Sequence, residues 1–412
     1  MSTVTTLDAV LKELTKDEYY HVATYQNRPG IATLPKFEGF TGRNLRLPLR
    51  YVNAMGRSAG FTTAQANVTA SKYEDFVLTR VKDYGIHTLD TEGMEASDDP
   101  EGAFVNGLDE EIRSILDAVS DSLESAIFRS GTGSIGRISS GSTVSTATIT
   151  LDNINDITNF ELGMQLQASA TDVGTLRDSG ATETIAAVNR TLGTLTSTSA
   201  AWNTVITALA ASDYLLCEGD ANLKVSGLGA WIPASTPSAT PFFSVVRTLD
   251  TVRLGGCRHD GSASNVEEAL IDGQGVAGRE GGAPNIVFMN NVDYRKLLKN
   301  TGSRVQYPRG EVKGRSADGE IGWIGFKSVQ IQGDYGVMEV IPANKCPAGT
   351  AFALQTDTWV LATLGACPKI IKNDGMMVLR SSAADGVEIR TGYKGNLGCM
   401  APGYNCNITL PA

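Results

Sequence analysis

The chain has 412 residues and a formal net charge of −10, too long for one ordinary core and suited to roughly two to three modules. Hydrophobic residues make up 42% and charged residues only 19%, and the acidic balance excludes a protein that grips nucleic acid over most of its surface. No apolar run approaches the ~18–20 residues that span a bilayer, and the polar start Met1 to Val10 lacks a signal-peptide pattern, so no membrane is expected and synthesis in a cytoplasm is.

In chain order, residues 1–35 read as an arm. A short helix is expected from Thr6 to Tyr20, with Leu7, Val10, Leu11 and Leu14 on one face. Asn27, Pro29, Gly30 and Pro35 then interrupt regular structure. Residues 36–72 read as a two-stranded hairpin. Leu45, Leu47 and Leu49 alternate with Arg46, Pro48 and Arg50, the period of a strand, and Pro48 makes it an edge. Asn53 to Gly60 reads as the tip, and Phe61 to Ala70 as the returning strand. A lone hairpin is marginal in water, so its stability is expected from outside contacts. It carries Arg43, Arg46, Arg50, Arg57 and Lys72 against one acid, Glu38. This local positive charge on an acidic chain has two readings: complementarity between copies, or an ordinary solvated loop.

Residues 73–95 read as extended, and a long helix follows over 100–129. Asp98 or Asp99 suits its cap, Pro100 its first turn and Glu101 the positive end of its dipole. Apolar residues at 104, 108, 112, 115, 116, 119, 123 and 127 form one stripe. Roughly thirty residues give a rod of ~45 Å. The other face carries Asp109, Glu110, Arg113, Asp117, Asp121 and Glu124, and Gly131 stops the helix.

At Ser139 the composition turns to Ser, Thr, Ala and Gly with β-type runs (Thr146–Leu151, Thr184–Val188, Gly193–Thr196), and 139–222 reads as a small inserted β-domain. A proline-bearing linker over 221–240 leads to an α+β region. Helices are expected over 265–279 and 293–300, and strands over 285–289, 326–332, 335–341, 350–355, 357–364 and 387–399.

Candidate chemistry is sparse. Ser130 to Gly136 fits GxGxxG, but a helix precedes it and a β-rich segment follows, the reverse of the dinucleotide-binding context; a helix stop explains it. His21, His87 and His259 fall in different modules without metal-ligand spacing. The cysteines at 217, 257, 346, 367, 399 and 406 form no CxxC pair, and free thiols are the reading. Catalytic residues, metal and cofactor are therefore expected to be none.

The order of arm, basic hairpin, extended segment, long helix ending in Gly-Thr-Gly, mixed α+β region and return strand resembles the major capsid proteins of tailed bacteriophages. The stretches that carry the likeness are Ala103–Glu111 leading to Ile127–Gly133, Ser226–Pro233, Ile286–Asn290 with Asp293, Tyr294 and Leu297, and Glu388–Cys399. It covers nearly the whole chain, and rests on order and number of features.

The resemblance implies an α+β tailed-phage major capsid fold. Its parts would be an N-arm (1–35), an E-loop hairpin (36–72), a P-domain with a spine helix (73–138), an inserted β-rich domain (139–222), a mainly A-domain region (223–380) and a return to the P-domain (381–412). It implies self-assembly into hexamers and pentamers of an icosahedral head around double-stranded DNA, without sequence-specific contacts. The implied location is the virion, with portal, decoration and scaffolding proteins as partners. No scaffold-like region of roughly a hundred residues precedes the arm, which implies a separate scaffold or none. Inter-subunit contacts are expected at Arg43, Arg46, Arg50, Arg57 and Lys72, facing acids such as Asp117, Asp121 and Glu124. In some relatives an E-loop lysine bonds covalently to a neighbour's asparagine; Lys36 or Lys72 with Asn396 is the pair to test, though no motif fixes the register. The alternatives are an encapsulin-like nanocompartment shell and, from another class, a secreted β-rich adhesion protein.

Overall fold

The computed structural model describes residues 28–90, 107–172, 174–301, 329–372, 378–380 and 385–411. The expected helix over 6–20, His21, the capping pair Asp98 and Asp99, and Phe104 lie outside them. The chain forms two compact units, one built around Tyr84–Asp121 and Pro368–Gly392, the other around Asn27–Asp83, Ser122–Cys367 and Tyr393–Ala412.

In the smaller unit, strand Val81–Asp90 pairs with the return strand Gly386–Cys399, whose first half also takes Lys369–Ile370 and Val378–Arg380 as antiparallel neighbours. Gly85 is needed where this sheet meets the long helix: a Cβ there would press on Ile115, Val119 and Thr391. The helix runs Gly107–Phe128. Of its expected stripe, Val119, Leu123 and Ile127 are at most 5% exposed, and Ile112, Ile115 and Leu116 are half-buried.

Among its described residues the larger unit holds two six-stranded sheets and a two-stranded hairpin, and strand Lys36–Phe37 pairs there with Trp359–Thr363, which pairs with the second half of the return strand. Its central mixed sheet runs in the order Cys257–Asp260, Cys406–Thr409, Thr350–Leu354, Ile286–Met289, Gly336–Pro342, Val329–Gly333. Helix Val266–Arg279 lies on it, close enough that Gly273 leaves no room for a Cβ beside Ile408. The core joins Leu270, Ala277, Val287, Met289, Met338 and Ile408. Two of these strands, Cys257–Asp260 and Cys406–Thr409, are missed by the sequence reading. Four residues each, with alternating polar side chains, they give too short a pattern to stand out. The chain therefore does not end as a return strand alone: its last strand enters this central sheet, parallel to Cys257–Asp260.

A second six-stranded sheet spans Ser134 to Cys217, ordered Ser134–Arg137, Tyr214–Cys217, Gln165–Ser169, Glu183–Asn189, Thr194–Ser197, Thr148–Thr150. It has its own core around Ile149, Phe160, Leu166, Leu195, Trp202 and Leu215. Hydroxyls satisfy its enclosed acids. Ser130, Thr132 and Ser134 all donate to Asp172. Ser197, Thr198 and Ser199 surround Glu183, which is 2% exposed. Burial pushes the Glu183 pKa up, but these hydrogen bonds outweigh it and hold it below the usual carboxylate range. Two polar contacts seat this sheet on the rest of the unit: Arg129 to Asp156 at 2.8 Å, and Lys345 Nζ donating to Thr158 O at 2.8 Å.

The long helix ends at a glycine turn, with Gly131 at φ 83° and Gly133 at φ 90°. The stretch from Ser226 runs directly under this end. A Cβ on Gly227 would overlap the carbonyl oxygens of Ala126, Ile127 and Arg129. Gly227→Ala is therefore expected to cost ~3 kcal/mol or more, or to give insoluble chain. Gly275→Ala, in the middle of a helix with open space around it, should stabilise by about 0.5–1 kcal/mol. Thermal melting of the two variants checks both signs.

Candidate assembly surface

The hairpin pairs strand Asn44–Val52 with Lys72–Thr79, from Asn44 opposite Thr79 to Arg50 opposite Tyr73. The returning strand is thus Lys72–Thr79 and not Phe61–Ala70. Phe61–Ala66 is a short helix with no buried residue, and Met55 and Thr69 bridge beneath it. Phe-Thr-Thr-Ala-Gln-Ala is compatible with either state, and none of its side chains is buried in a way that would favour a ladder. The change brings Glu74 and Asp75 into the hairpin, so its positive excess is smaller than the sequence reading assumed.

The root of the hairpin is held by aromatic packing. Leu47, Phe76 and Leu78 are buried. Phe76 meets Trp231 edge-on at 4.9 Å between centroids. Trp231 stacks on Phe243 at 5.5 Å and meets Phe242 and Trp359 edge-on, and its indole N–H donates to Leu397 O. A backbone bond from Val77 N to Phe243 O and a side-chain bond from the Arg253 guanidinium to Tyr51 O fix the strands on either side. The far end has no such support. Met55, Phe61, Val68 and Tyr73 are 65, 83, 68 and 64% exposed, an apolar group of the kind that marks a contact surface.

Arg43, Arg46, Arg50, Arg57 and Lys72 are all exposed. Arg46 is already paired with Asp75 at 2.8 Å within the hairpin. On the long helix, Asp117 and Asp121 are half-buried. Glu124 is not on an exposed face: it is 1% exposed, and its carboxylate accepts from Gly30 N at 2.8 Å and Ile31 N at 2.9 Å. A register count along the helix cannot reveal this, because the partner is the backbone of a segment 93 or more residues away.

The residues considered for chemistry have structural places. Ser130 to Gly136 closes the helix and enters the inserted sheet. His87 pairs with Glu111 at 3.2 Å, and His259 lies 3.9 Å from Asp272. Among the described residues no group of His, Cys, Asp and Glu is arranged to hold a metal. All six cysteines are free, and burial pushes the Cys399 thiol up to about 12. Asn396 is 1% exposed; its side-chain amide donates to Thr79 O and accepts from Ser226 N. Both ends are committed within the chain, which takes it out of the proposed cross-link with Lys36 or Lys72.

This arrangement has counterparts among solved structures. Over 99% of its length the chain superposes on 98% of a chain of the cyanophage A-1(L) capsid asymmetric unit, with a TM-score of 0.54 and 12% identity. It matches the capsid of the native GTA particle over all of both chains, with a TM-score of 0.52 and 8% identity. The chain has the tailed-phage capsid fold. No protein-family model and no curated protein matches the sequence.

The Glu124 contact secures the backbone at Gly30 and Ile31. Glu124→Ala would leave two enclosed N–H groups without acceptors, at ~1–3 kcal/mol each. Amide hydrogen exchange at Gly30 and Ile31 is expected to accelerate by at least tenfold, while Leu354 in the central sheet exchanges as before.

Proposed function

We propose that this chain is the major capsid subunit of a phage-type particle. The observation that carries the reading is its fold, shared along the full length with capsid chains. Copies would assemble into the hexamers and pentamers of an icosahedral head enclosing double-stranded DNA, in the virion, after synthesis in the host cytoplasm. The work is interface burial with no catalysis. Portal, scaffolding and decoration proteins would join the shell, and the DNA would be held without sequence-specific contacts.

The hairpin is the part of this fold best suited to reach another copy. Its root is fixed by Trp231, and its tip offers Met55, Phe61 and Val68. Burying these three would contribute several kcal/mol per copy at ~25 cal/mol per Å². Arg43, Arg50, Arg57 and Lys72 would orient the tip against acids such as Asp117 and Asp121 of a neighbour, an effect on register more than on affinity. Arg46 and Glu124 play a lesser part, since each already has a partner within its own chain.

Expression followed by size-exclusion chromatography and electron microscopy tests this, with any scaffold encoded alongside supplied. Closed shells or capsomer rings are expected. Phe61→Asp should leave a soluble, folded subunit that forms no shells, and Arg50→Glu should reduce shell yield. Normal shells from Phe61→Asp would sink the tip as a contact. A chain that stays monomeric with its scaffold present would sink the capsid reading.

A further inference from the structure

A nearly enclosed ion cluster lies at the margin of the larger unit. The Lys224 ammonium reaches Asp83 Oδ2 at 2.6 Å and Asp220 Oδ2 at 3.1 Å, and donates to Ser122 Oγ at 2.8 Å. Ser122 Oγ in turn donates to Asp83 Oδ2 at 2.8 Å. All three ammonium hydrogens are thereby used. Asp83, Ser122 and Tyr393 are each the residue at which the chain enters or leaves this unit. Asp220 and Lys224 lie just beyond Cys217, the last residue of the inserted sheet. The cluster therefore ties the exit of the inserted sheet to the strand at Asp83 and the helix at Ser122.

Two carboxylates share one ammonium, which leaves a surplus negative charge. The side chains of Lys224, Asp83 and Asp220 are only 10, 15 and 21% exposed, so water does little to screen it. The two acids are not equivalent. Asp83 has the shorter bond to Lys224 and a second donor in Ser122, whereas Asp220 has the longer bond. The other titratable groups facing them are the Cys217 thiol, from the last strand of the inserted sheet, and the Tyr393 hydroxyl, from the return strand. Tyr393 in turn feels Cys367. Burial pushes Cys217 up to about 12 and Tyr393 well above its usual range, so both stay neutral near neutral pH.

We propose that this cluster is a proton-sensitive latch on the exit of the inserted sheet, in which one proton taken up by Asp220 cancels the surplus charge and tightens residues 217–226 onto the rest of the unit. Burial, helped by the Asp83 charge and opposed by Lys224, pushes Asp220 up to about 6. A carboxylate whose value is raised in the closed state holds its proton more tightly there than in an opened, hydrated state. Opening therefore becomes rarer as pH falls through about 6, and the gain levels off near the ordinary carboxylate value. One-proton linkage makes opening about tenfold rarer at pH 5 than at pH 7.5. The latch is a property of the subunit and does not depend on shell formation.

Hydrogen exchange of the full chain, corrected for intrinsic rates, reads the latch directly. Amides of 217–226 should open about tenfold less often at pH 5 than at pH 7.5, and in Asp220→Asn the two conditions should agree within about twofold. Equal opening in the wild-type chain, or an unchanged pH dependence in Asp220→Asn, would overturn the proposal. Should that variant fail to fold, carboxyl carbon NMR of the wild-type chain decides: a midpoint for Asp220 near 6 supports the latch, and one near 4 defeats it.

Discussion

Burial of the Trp231 indole is the constraint on which the larger unit depends. One side chain touches the hairpin through Phe76, the following loop through Phe242 and Phe243, and the strand Trp359–Thr363 through Trp359, while its N–H is given to the return strand at Leu397. These contacts come from segments far apart in the chain. A fully enclosed tryptophan with a satisfied N–H contributes several kcal/mol. Its reach is set by the glycines that precede it. Gly227 lets the backbone pass under the end of the long helix, where any side chain would collide with the carbonyl oxygens of the last turn. The helix end, the glycine stretch and the tryptophan thus act as one joint.

Much of this was legible in the sequence because its apolar pattern is local. The stripe of the long helix and the helix at 266–279 repeat with a helical period, whereas the strands at 286–289, 350–354 and 359–363 are short, mostly unbroken apolar runs; that helix and these strands lie within a few residues of the expected bounds. What was not legible depends on distant partners. Phe61–Ala66 is a helix with no buried residue, whereas Lys72–Thr79 pairs because Phe76 and Leu78 have an aromatic cluster to enter. Glu124 fits an exposed face by spacing, but the segment at Gly30 covers it. Spacing along a helix says which residues share a face and is silent on what arrives from elsewhere to cover it.

The inserted sheet shows a related limit of composition. Its Ser and Thr content reads as β-type runs, and does not reveal that several of these hydroxyls serve as donors to its acids. Asp172 receives Ser130, Thr132 and Ser134, and Glu183 receives Ser197, Thr198 and Ser199. The donors around the enclosed Glu183 carboxylate keep it ionised inside the fold. The sheet thereby gains order from short polar side chains, and needs a core of only modest size around Trp202 and Phe160.

A ribbon of two strands has two open borders, each a template on which another chain can lay a strand and begin a fibre. Here Pro48 withholds one donor, Arg46, Arg50 and Lys72 place charge along the ribbon, and the pairing shifts register at Arg50. Each of these makes lateral zipping unfavourable. The ribbon is thereby steered away from amyloid-like growth, and contact through its apolar end remains open.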